Sequence, residues 1–373
     1  MEENMKTNKL RTFSALKVLL ALSVLFFLQP STVESQAAAL PSLTGAIAEV
    51  DRYGNVSTDI TAEALTKAGF ELGDVVRLEV GTFNGELPLV TTYADVQRGD
   101  PLVRVTNGIL AIAISYGNFA QTNGTTADLP VTITMVSKGA YKAELEVRNL
   151  VRTNNRADYS SDAVFANFRE VRMGGIPANV LFRSSHPAMA DDVRPPYAAS
   201  LGEQARIATV INLADNPQEL PLRTGPWYQT FVSRGNIIAL GMGVDYKSQD
   251  FAVKLKAGLE FMLNHDAPFL IHCNEGKDRA GVTVALLEAL MGASPNEIVD
   301  DYMLSYSNYY KVAKGEARYD LIATIMLDIL KDFNGGTAPK EGETVAAAEW
   351  YLGVVVGFTP VQIRALKAKL SGR

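Results

Sequence analysis

The sequence predicts two domains: an α/β domain with a mostly parallel sheet and flanking helices, preceded by a small all-β, barrel-like domain. Short alternating segments separated by turn signals run from about residue 43 to 146, whereas apolar strand-like segments alternate with helical patterns from about residue 160. With 373 residues, the chain is long enough for two domains of ordinary size. We therefore expect one domain at residues 43–148 and a second at residues 160–373.

The first domain is predicted from its strand pattern. A helical pattern at residues 62–68 interrupts the strands, and turn residues follow most of them. Regular spacing of this kind is typical of a small antiparallel barrel or sandwich. The predicted strands are residues 46–50, 56–60, 75–80, 101–105, 111–114 and 131–136.

In the second domain, strand and helix patterns follow one another. Ser294 and Glu297 form a capping-box pattern at the start of one helix, and Gly292 marks the end of the helix before it. This alternation indicates a parallel sheet with helices on both faces. The predicted strands are residues 180–185, 208–213, 237–240 and 267–271, and the predicted helices are residues 248–264, 282–291, 297–305 and 361–367.

The most informative stretch is residues 271–281, which read IHCNEGKDRAG. A buried strand leads into it and a helix leads out, so these residues form a tight strand-to-helix loop. The backbone amides of such a loop and the N-terminus of its helix bind anions. Cys273 opens this signature loop and Arg279 follows six positions later.

The loop residues indicate a reaction. A helix N-terminus and nearby cations favour the thiolate form of a cysteine, which is the nucleophilic form. The planar guanidinium of Arg279 is suited to holding two oxygens of an anion. A phosphate ester is an anion with an electrophilic centre, so Cys273 would attack phosphorus and form a cysteinyl-phosphate that water then hydrolyses.

The pattern His-Cys-x5-Arg resembles the signature of cysteine-dependent tyrosine and dual-specificity phosphatases. Its fuller form, HCNEGKDRAG, is similar to the bacterial, secreted atypical branch. The resemblance implies a cysteine phosphatase fold, no cofactor, and a phosphorylated protein or a phosphoinositide as the partner. The substrates of that branch are phosphotyrosine and, in some members, phosphoserine/threonine or phosphoinositides. The implied phosphate-binding residues are Asn274, Glu275, Gly276, Lys277, Asp278 and Arg279, and the implied catalytic residues are Cys273, Arg279 and Asp278.

Two aspartates are candidates for the general acid that protonates the leaving oxygen. In the related atypical branch the loop aspartate has this role, which is Asp278 here. In most cysteine phosphatases the acid lies on a separate upstream loop, where Asp245 lies 28 positions before Cys273. The relatives also carry Ser or Thr at the position of Ala280, so turnover is expected to slow unless Thr283 substitutes.

Other positions that the resemblance singles out have predicted roles as well. Arg183 is expected to be a structural ion-pair partner, and Lys277 either contacts substrate oxygens or faces solvent. His272 is expected to orient the loop or tune the thiolate. Where the relatives commonly carry Asp-Leu-Arg, this chain has Asn212 and Ala214, which leaves the role of that edge open.

The first domain resembles the C-terminal barrel of S-adenosylmethionine hydroxide adenosyltransferases. Residues 45–60 read GAIAEVDRYGNVSTDI, and residues 106–113 read TNGILAIA. In that family a further domain precedes the barrel and completes the adenosyl site. We expect an accessory module here, in which Asp51, Tyr53 and Asn55 form a turn. An enzyme acting on adenosyl compounds is the remote alternative.

The N-terminal residues 1–39 are predicted to be a secretory signal peptide. Four basic residues precede an apolar run at residues 18–28, which Pro30 follows. The run is short for a membrane span. We expect a secreted, periplasmic or cell-envelope protein, which meets the membrane only through this segment if it is not cleaved.

Composition limits the remaining possibilities. The chain has one cysteine and three histidines, so the sequence predicts no internal disulfide and no metal site built on these residues. A net charge of -6 without a basic stretch argues against a nucleic-acid partner. The leading prediction is a phosphatase, and the alternative is a pseudophosphatase or receptor that binds phosphate with weak catalysis.

Overall fold

The structure, a computed structural model, describes residues 40–373. The predicted signal peptide at residues 1–39 lies outside the described residues. In the described part of the chain, no helix combines the length and the apolar character needed to cross a membrane.

Seven strands close the first domain into a barrel, in the order β1-β2-β6-β5-β4-β3-β7. The expected barrel is confirmed, with one unexpected feature: β4 pairs with β5 in parallel, while the other pairs are antiparallel. The sequence did not predict β4, because its Gly85 and Pro88 argue against a strand. The elements are β1 (Ser42–Val50), β2 (Val56–Thr61), α1 (Ala62–Lys67), β3 (Val75–Val80), β4 (Phe83–Val90), β5 (Pro101–Thr106), β6 (Ile109–Ile114), α2 (Phe119–Asn123) and β7 (Pro130–Ser137).

Helix α3 (Lys142–Arg148) lies between the two domains in the sequence, and its region also packs against both of them. Tyr141 and Leu145 pack against a small apolar cluster of the barrel. Val147 and Leu150 pack against the core of the second domain. Helix α3 and the residues that flank it therefore make apolar contacts with both domains.

The second domain is built on a five-stranded sheet in the order β11-β10-β12-β9-β8. Four strands are parallel, and the edge strand β8 is antiparallel to β9. The mostly parallel sheet predicted from the sequence is confirmed. The strands are β8 (Arg169–Glu170), β9 (Leu181–Ser184), β10 (Thr209–Asn212), β11 (Ile237–Ala239) and β12 (Phe269–His272).

Helices cover both faces of this sheet. Successive side chains of a strand point to opposite faces. Phe269 and Ile271 of β12 accordingly belong to the main core, while Leu270 lies in a second cluster with Tyr228 and Phe231. The helices of this domain are α4 (Asp162–Phe165), α5 (Pro195–Gln204), α6 (Pro226–Arg234), α7 (Gln249–Leu263), α8 (Asp278–Leu290), α9 (Pro295–Tyr310), α10 (Ala317–Phe333), α11 (Thr344–Trp350), which continues as a π-helical turn at Tyr351–Val356, and α12 (Pro360–Leu370).

Candidate active site

The signature loop joins the middle strand β12 to the N-terminus of α8. Cys273, directly after the strand, is 3% exposed, and α8 begins at Asp278 without a side-chain cap. The first N–H groups of a helix have no partner within the helix. The loop therefore brings the buried thiol and an uncapped helix N-terminus to the same end of the sheet.

The carbonyl groups of the loop accept hydrogen bonds from residues outside it. These donors come from several elements that the sequence places far from the loop. The bonds are His186 N to Asn274 O at 3.0 Å, Tyr309 Oη to Glu275 O at 2.8 Å, Asn167 Nδ2 to Glu275 O at 3.1 Å, and Arg183 Nη2 to Gly276 O at 2.8 Å and to Lys277 O at 3.3 Å.

This anchoring determines where the loop amides point. In a trans peptide the carbonyl of one residue and the N–H of the next point in opposite directions. The anchored carbonyls of residues 274–277 therefore direct the N–H groups of residues 275–278 away from the surrounding protein. Within the described part of the chain, none of these four N–H groups has a hydrogen-bond acceptor. The loop thus presents four unpaired donors in a row, which suits a phosphate group.

Gly276 is required by this geometry. Its φ is +69°, and a Cβ on this residue would lie 2.2 Å from the carbonyl oxygen of Ser184. Only glycine adopts this conformation freely and allows β9 to approach so closely. The position of the loop against β9 therefore depends on the absence of a side chain here.

Arg279 is held by neutral groups. Its Nη1 donates to the carbonyl oxygens of Met242 at 3.1 Å and Leu213 at 3.5 Å, which follow β11 and β10. No carboxylate of residues 40–373 lies within 4.0 Å of its guanidinium nitrogens. The positive charge is thus left available to an anion beside the loop.

Asp278 is the first residue of α8, and its side chain is 52% exposed. Its carboxylate oxygen Oδ2 lies 3.8 Å from Lys277 Nζ. Although half of the side chain is exposed, its neighbours partly desolvate the carboxyl group. This desolvation, and next the negative charge of Glu275, raise the pKa of Asp278 above its usual value against the pull of Lys277. An aspartate that keeps its proton to higher pH is suited to general acid catalysis.

Asp245, the other candidate acid, lies in the turn that precedes α7. Its side chain is exposed and accepts a hydrogen bond from Lys247 N at 3.1 Å, while its carbonyl accepts from Ser248 N. The loop that contains it begins at Met242, beside Arg279. Asp245 is therefore engaged in the turn that starts α7.

Lys277 does not face solvent, although solvent exposure was one of its two expected roles. Its side chain is 14% exposed, and its Nζ lies 3.2 Å from Glu275 Oε2 and 3.2 Å from Tyr310 Oη. The ammonium also lies 5.1 Å from the ring centres of Tyr306 and Tyr310. Lys277 is held on the α9 side of the loop by one carboxylate and two aromatic rings.

Arg183 is a buried ion-pair partner, as predicted. Its Nη1 lies 2.5 Å from Asp301 Oδ2 on α9, and Asp301 Oδ1 also pairs with Arg169 Nε at 2.7 Å. Burial opposes the charge on Asp301, but the two arginines lower its pKa to about 2. Since Arg183 also donates to the loop, this ion pair connects α9 to the loop through β9.

The hydroxyl that relatives carry after the arginine has no replacement here. Ala280 provides none, and Thr283 Oγ1 is buried without a hydrogen-bond partner among residues 40–373. Thr283 therefore makes no hydrogen bond to Cys273 in this structure.

Several residues that hold the loop were missed by sequence reasoning. Asn167 and Tyr309 are the clearest cases, since both donate to the same carbonyl of Glu275. Neither residue belongs to a recognisable motif. Only the placement of Tyr309 one helical turn after Tyr306 and Ser305 on α9 hints at a common face.

A large cavity in the described part of the chain, about 980 Å³, is lined by turns and loops of the first domain and not by the signature loop. Its lining includes Asp51, Tyr53 and Asn55. Asp51 accepts hydrogen bonds from Tyr53 N at 2.8 Å and Asn55 N at 2.9 Å. These contacts make the segment a turn, as predicted.

Comparisons with known proteins match the two domains separately. Residues 241–372 match the tyrosine phosphatase family, and residues 45–132 match the SAM hydroxide adenosyltransferase C-terminal domain. Both resemblances predicted from the sequence are confirmed. No curated protein matches the chain.

Among solved structures, the chain is similar to an uncharacterized conserved protein from Thermotoga maritima, with 31% identity, 25% of this chain covered and a TM-score of 0.24. It is also similar to a conserved hypothetical protein from Thermus thermophilus, with 23% identity, 25% covered and a TM-score of 0.19. The chain spans only 36% and 34% of the lengths of these two proteins.

A further similar structure is the core catalytic domain of the PP-IP phosphatase SIW14 from S. cerevisiae. It shares 23% identity over 43% of this chain and 90% of that chain, with a TM-score of 0.26. A phosphatase domain is indicated by the match of residues 241–372 to the tyrosine phosphatase family and by the geometry of the signature loop.

Proposed function

We propose that this chain hydrolyses phosphate monoesters through a cysteinyl-phosphate, because residues 241–372 match the tyrosine phosphatase family. The observation that carries the proposal is the signature loop. Its outward-anchored carbonyls leave four adjacent N–H groups unpaired, and Arg279 lies beside them without a carboxylate partner among residues 40–373. A dianionic phosphoryl group matches that arrangement of donors.

The proposed reaction uses Cys273, Asp278 and Arg279. The Cys273 thiolate attacks phosphorus, a sulfur–phosphorus bond forms, and the bond from phosphorus to the ester oxygen breaks. Asp278 gives its proton to the leaving oxygen, and as a carboxylate it then takes a proton from the water that cleaves the sulfur–phosphorus bond. The Arg279 guanidinium and the loop amides stabilise the charge on the phosphoryl oxygens in both steps.

The proposed substrate is a phosphorylated protein of the phosphotyrosine type, with phosphoserine/threonine and phosphoinositides as further candidates. A second candidate function is phosphate binding with weak catalysis. The absence of a hydroxyl at Ala280, together with Thr283 Oγ1, which has no partner among residues 40–373, favours it, because no hydroxyl from either residue then helps the thiolate to leave in the second step.

Hydrolysis of para-nitrophenyl phosphate by the purified chain tests the proposal, with Cys273→Ser as the control. We expect turnover by the natural chain and none by the variant. Iodoacetate should inactivate the enzyme, and vanadate should protect it. Phosphate binding without turnover would favour the second candidate, and labelling of Cys273 that leaves activity intact would exclude the mechanism. A panel of phosphopeptides and phosphoinositides then identifies the substrate.

We also propose that this protein is exported. The basic and apolar pattern of residues 1–39 supports export to the cell envelope or beyond. Sequencing the N-terminus of the protein recovered from culture medium and from the cell envelope tests this, and recovery only from the cytoplasm would contradict it.

A further inference from the structure

A buried chain of hydrogen bonds runs from a carboxylate to the carbonyl of the nucleophilic residue. It consists of Asp215, Asn212, Tyr228 and His272, and we refer to these four residues as the relay. All four are at most 3% exposed. The phosphatase mechanism described above uses none of them, although the relay ends on Cys273.

Asn212 determines which atoms of the relay donate and which accept hydrogen bonds. Its Oδ1 accepts hydrogen bonds from the backbone N–H groups of Ala214 at 2.8 Å and Asp215 at 3.0 Å. Because a backbone N–H only donates, the other end of the amide must be the NH₂ group. That group donates to Asp215 Oδ2 at 2.8 Å and to Tyr228 Oη at 2.8 Å.

The next hydrogen bond of the relay joins Tyr228 to His272, and Tyr228 is its donor. Its hydroxyl oxygen already accepts from Asn212, and its one remaining partner among residues 40–373 is His272 Nε2 at 3.0 Å. Burial, and next the charge of Asp215, raise the pKa of Tyr228 well above its usual value, so the phenol keeps its proton. If His272 Nε2 carried a proton, the Tyr228 O–H would be buried with no acceptor, which is costly. Tyr228 therefore donates to Nε2.

His272 is then neutral and carries its proton on Nδ1. Burial lowers the pKa of His272 well below its usual value, which agrees with an uncharged ring. The Nδ1 atom lies 3.4 Å from the carbonyl oxygen of Cys273. With a proton on Nδ1 this contact is attractive, whereas the other tautomer would place two lone pairs against each other.

The neighbouring histidine has the opposite tautomer. His186 Nδ1 accepts from Ala188 N at 3.0 Å, so the proton of its neutral ring is on Nε2, 2.9 Å from Asp215 Oδ2. The ring centres of His186 and His272 are 4.5 Å apart. Burial disfavours the negative charge of Asp215. Hydrogen bonds from His186, Arg223 and Asn212 nevertheless hold the pKa of Asp215 well below its usual range. The relay therefore starts from a fixed anion.

We propose that Asn212 and Tyr228 are positioning residues that hold His272 in the Nδ1–H tautomer and thereby orient the peptide between Cys273 and Asn274. The bond to the Cys273 carbonyl directs the N–H of Asn274 to the opposite side, where it becomes a fifth donor next to the four amides of residues 275–278. The asparagine that departs from the related Asp-Leu-Arg pattern thus has a role at this edge of the site. The contribution to rate rests on the proposed function, whereas the tautomer does not.

The tautomers are measured directly by ¹⁵N NMR of the full chain labelled at histidine. The chain has three histidines, and His265→Gln identifies the signal of the third. We expect the two buried rings to be neutral, one protonated on Nδ1 and the other on Nε2. The same tautomer in both, or a charged His272 at pH 7, overturns the proposal even if the protein hydrolyses no phosphate ester.

Tyr228→Phe tests the relay itself, with Tyr319→Phe as the matched control. Tyr319 is also buried and donates its hydroxyl to a carboxylate, Asp300 Oδ1, at 3.1 Å on α9. In Tyr228→Phe we expect His272 to lose its single tautomer and kcat on para-nitrophenyl phosphate to fall roughly three- to tenfold, as for one lost hydrogen bond. Tyr319→Phe should change neither. A folded Tyr228→Phe protein with the tautomer and kcat of the natural chain overturns the proposal, and if that variant does not fold, the tautomers of the natural chain decide.

Discussion

Arg152 Nε lies 2.9 Å from Glu275 Oε1, so the segment that follows α3 contacts the signature loop. Arg152 also lies 3.5 Å from Asp192 and 5.3 Å from the ring centre of Tyr309. The other oxygen of Glu275 faces Lys277. A stretch that the sequence indicated as a domain boundary thus contributes a cation to the electrostatics of the loop.

Replacing Arg152 tests this contact. In Arg152→Ala, Glu275 keeps Lys277 but loses its second cation, and we expect kcat/KM to fall roughly threefold to tenfold, since the pair is partly exposed. Arg156→Ala is the matched control, because Arg156 pairs with Asp162 and not with the loop. Equal losses in the two variants would show that the contact with Glu275 has no special effect.

Removing the barrel tests its accessory role. A protein that begins at residue 140 keeps α3 and Arg152, and we expect it to retain most activity on a small aryl phosphate. A protein that begins at residue 156 lacks Val147, Leu150 and Arg152, so we expect lower stability and activity. If the longer form is folded and inactive, the barrel takes part in the chemistry.

Asp278→Asn and Asp245→Asn distinguish the two candidate acids. General acid catalysis contributes about 10²–10⁴-fold, and less for a leaving group that needs no proton. We expect Asp278→Asn to slow phosphotyrosine hydrolysis far more than that of para-nitrophenyl phosphate. Because the pKa of Asp278 is raised, the acid form persists above the usual range, and activity falls only as the pH rises through that pKa. The asparagine variant should lose this alkaline limb, and Asp245→Asn should keep it. The reverse pattern would place the acid on the upstream loop.

Asp301→Asn is expected to destabilise the fold. It leaves the buried Arg183 and the partly buried Arg169 without their counter-charge, and breaking a buried pair costs about 3–5 kcal/mol. Urea unfolding at pH 7 measures this, with Asp300→Asn as the control, because Asp300 is half-exposed.

The same carboxylate predicts a pH dependence. The pKa of Asp301 is about 2 in the folded state, whereas an unfolded aspartate has a pKa of about 3.9. The lower folded value means that the stabilisation is present above about pH 4 and is lost as the pH falls towards about 2. In Asp301→Asn that part of the acid transition should be absent. An unchanged slope of stability against pH in this range would contradict the role of the ion pair.

Gly276→Ala and Gly235→Ala separate backbone strain from close contact. Both glycines have φ near +70°, at +69° and +71°, but only at Gly276 would a Cβ meet the Ser184 carbonyl. We expect both variants to lose about 1–3 kcal/mol of stability, and only Gly276→Ala to lose phosphate binding and turnover. Calorimetric titration with vanadate measures the binding, and full binding by Gly276→Ala would show that the loop tolerates the shift.

The sequence by itself determined the features that depend on neighbouring residues. The strand, loop and helix around Cys273 are contiguous, so residue types and spacing are enough to predict them. The same holds for the capping box at Ser294 and Glu297 and for six of the seven strands of the barrel. Helices α10 and α11 were not predicted, and β4 was missed because glycine and proline mask its strand pattern.

Only the tertiary structure decided which residues anchor the signature loop. Tyr309 contacts Glu275 across 34 positions of sequence, Asn167 across 108, and Arg183 reaches Asp301 across 118. No local pattern encodes such pairs, because each depends on how helices and strands pack around the sheet. The direction of the relay is likewise a tertiary property, since a histidine tautomer is set by the donors and acceptors that packing places around the ring.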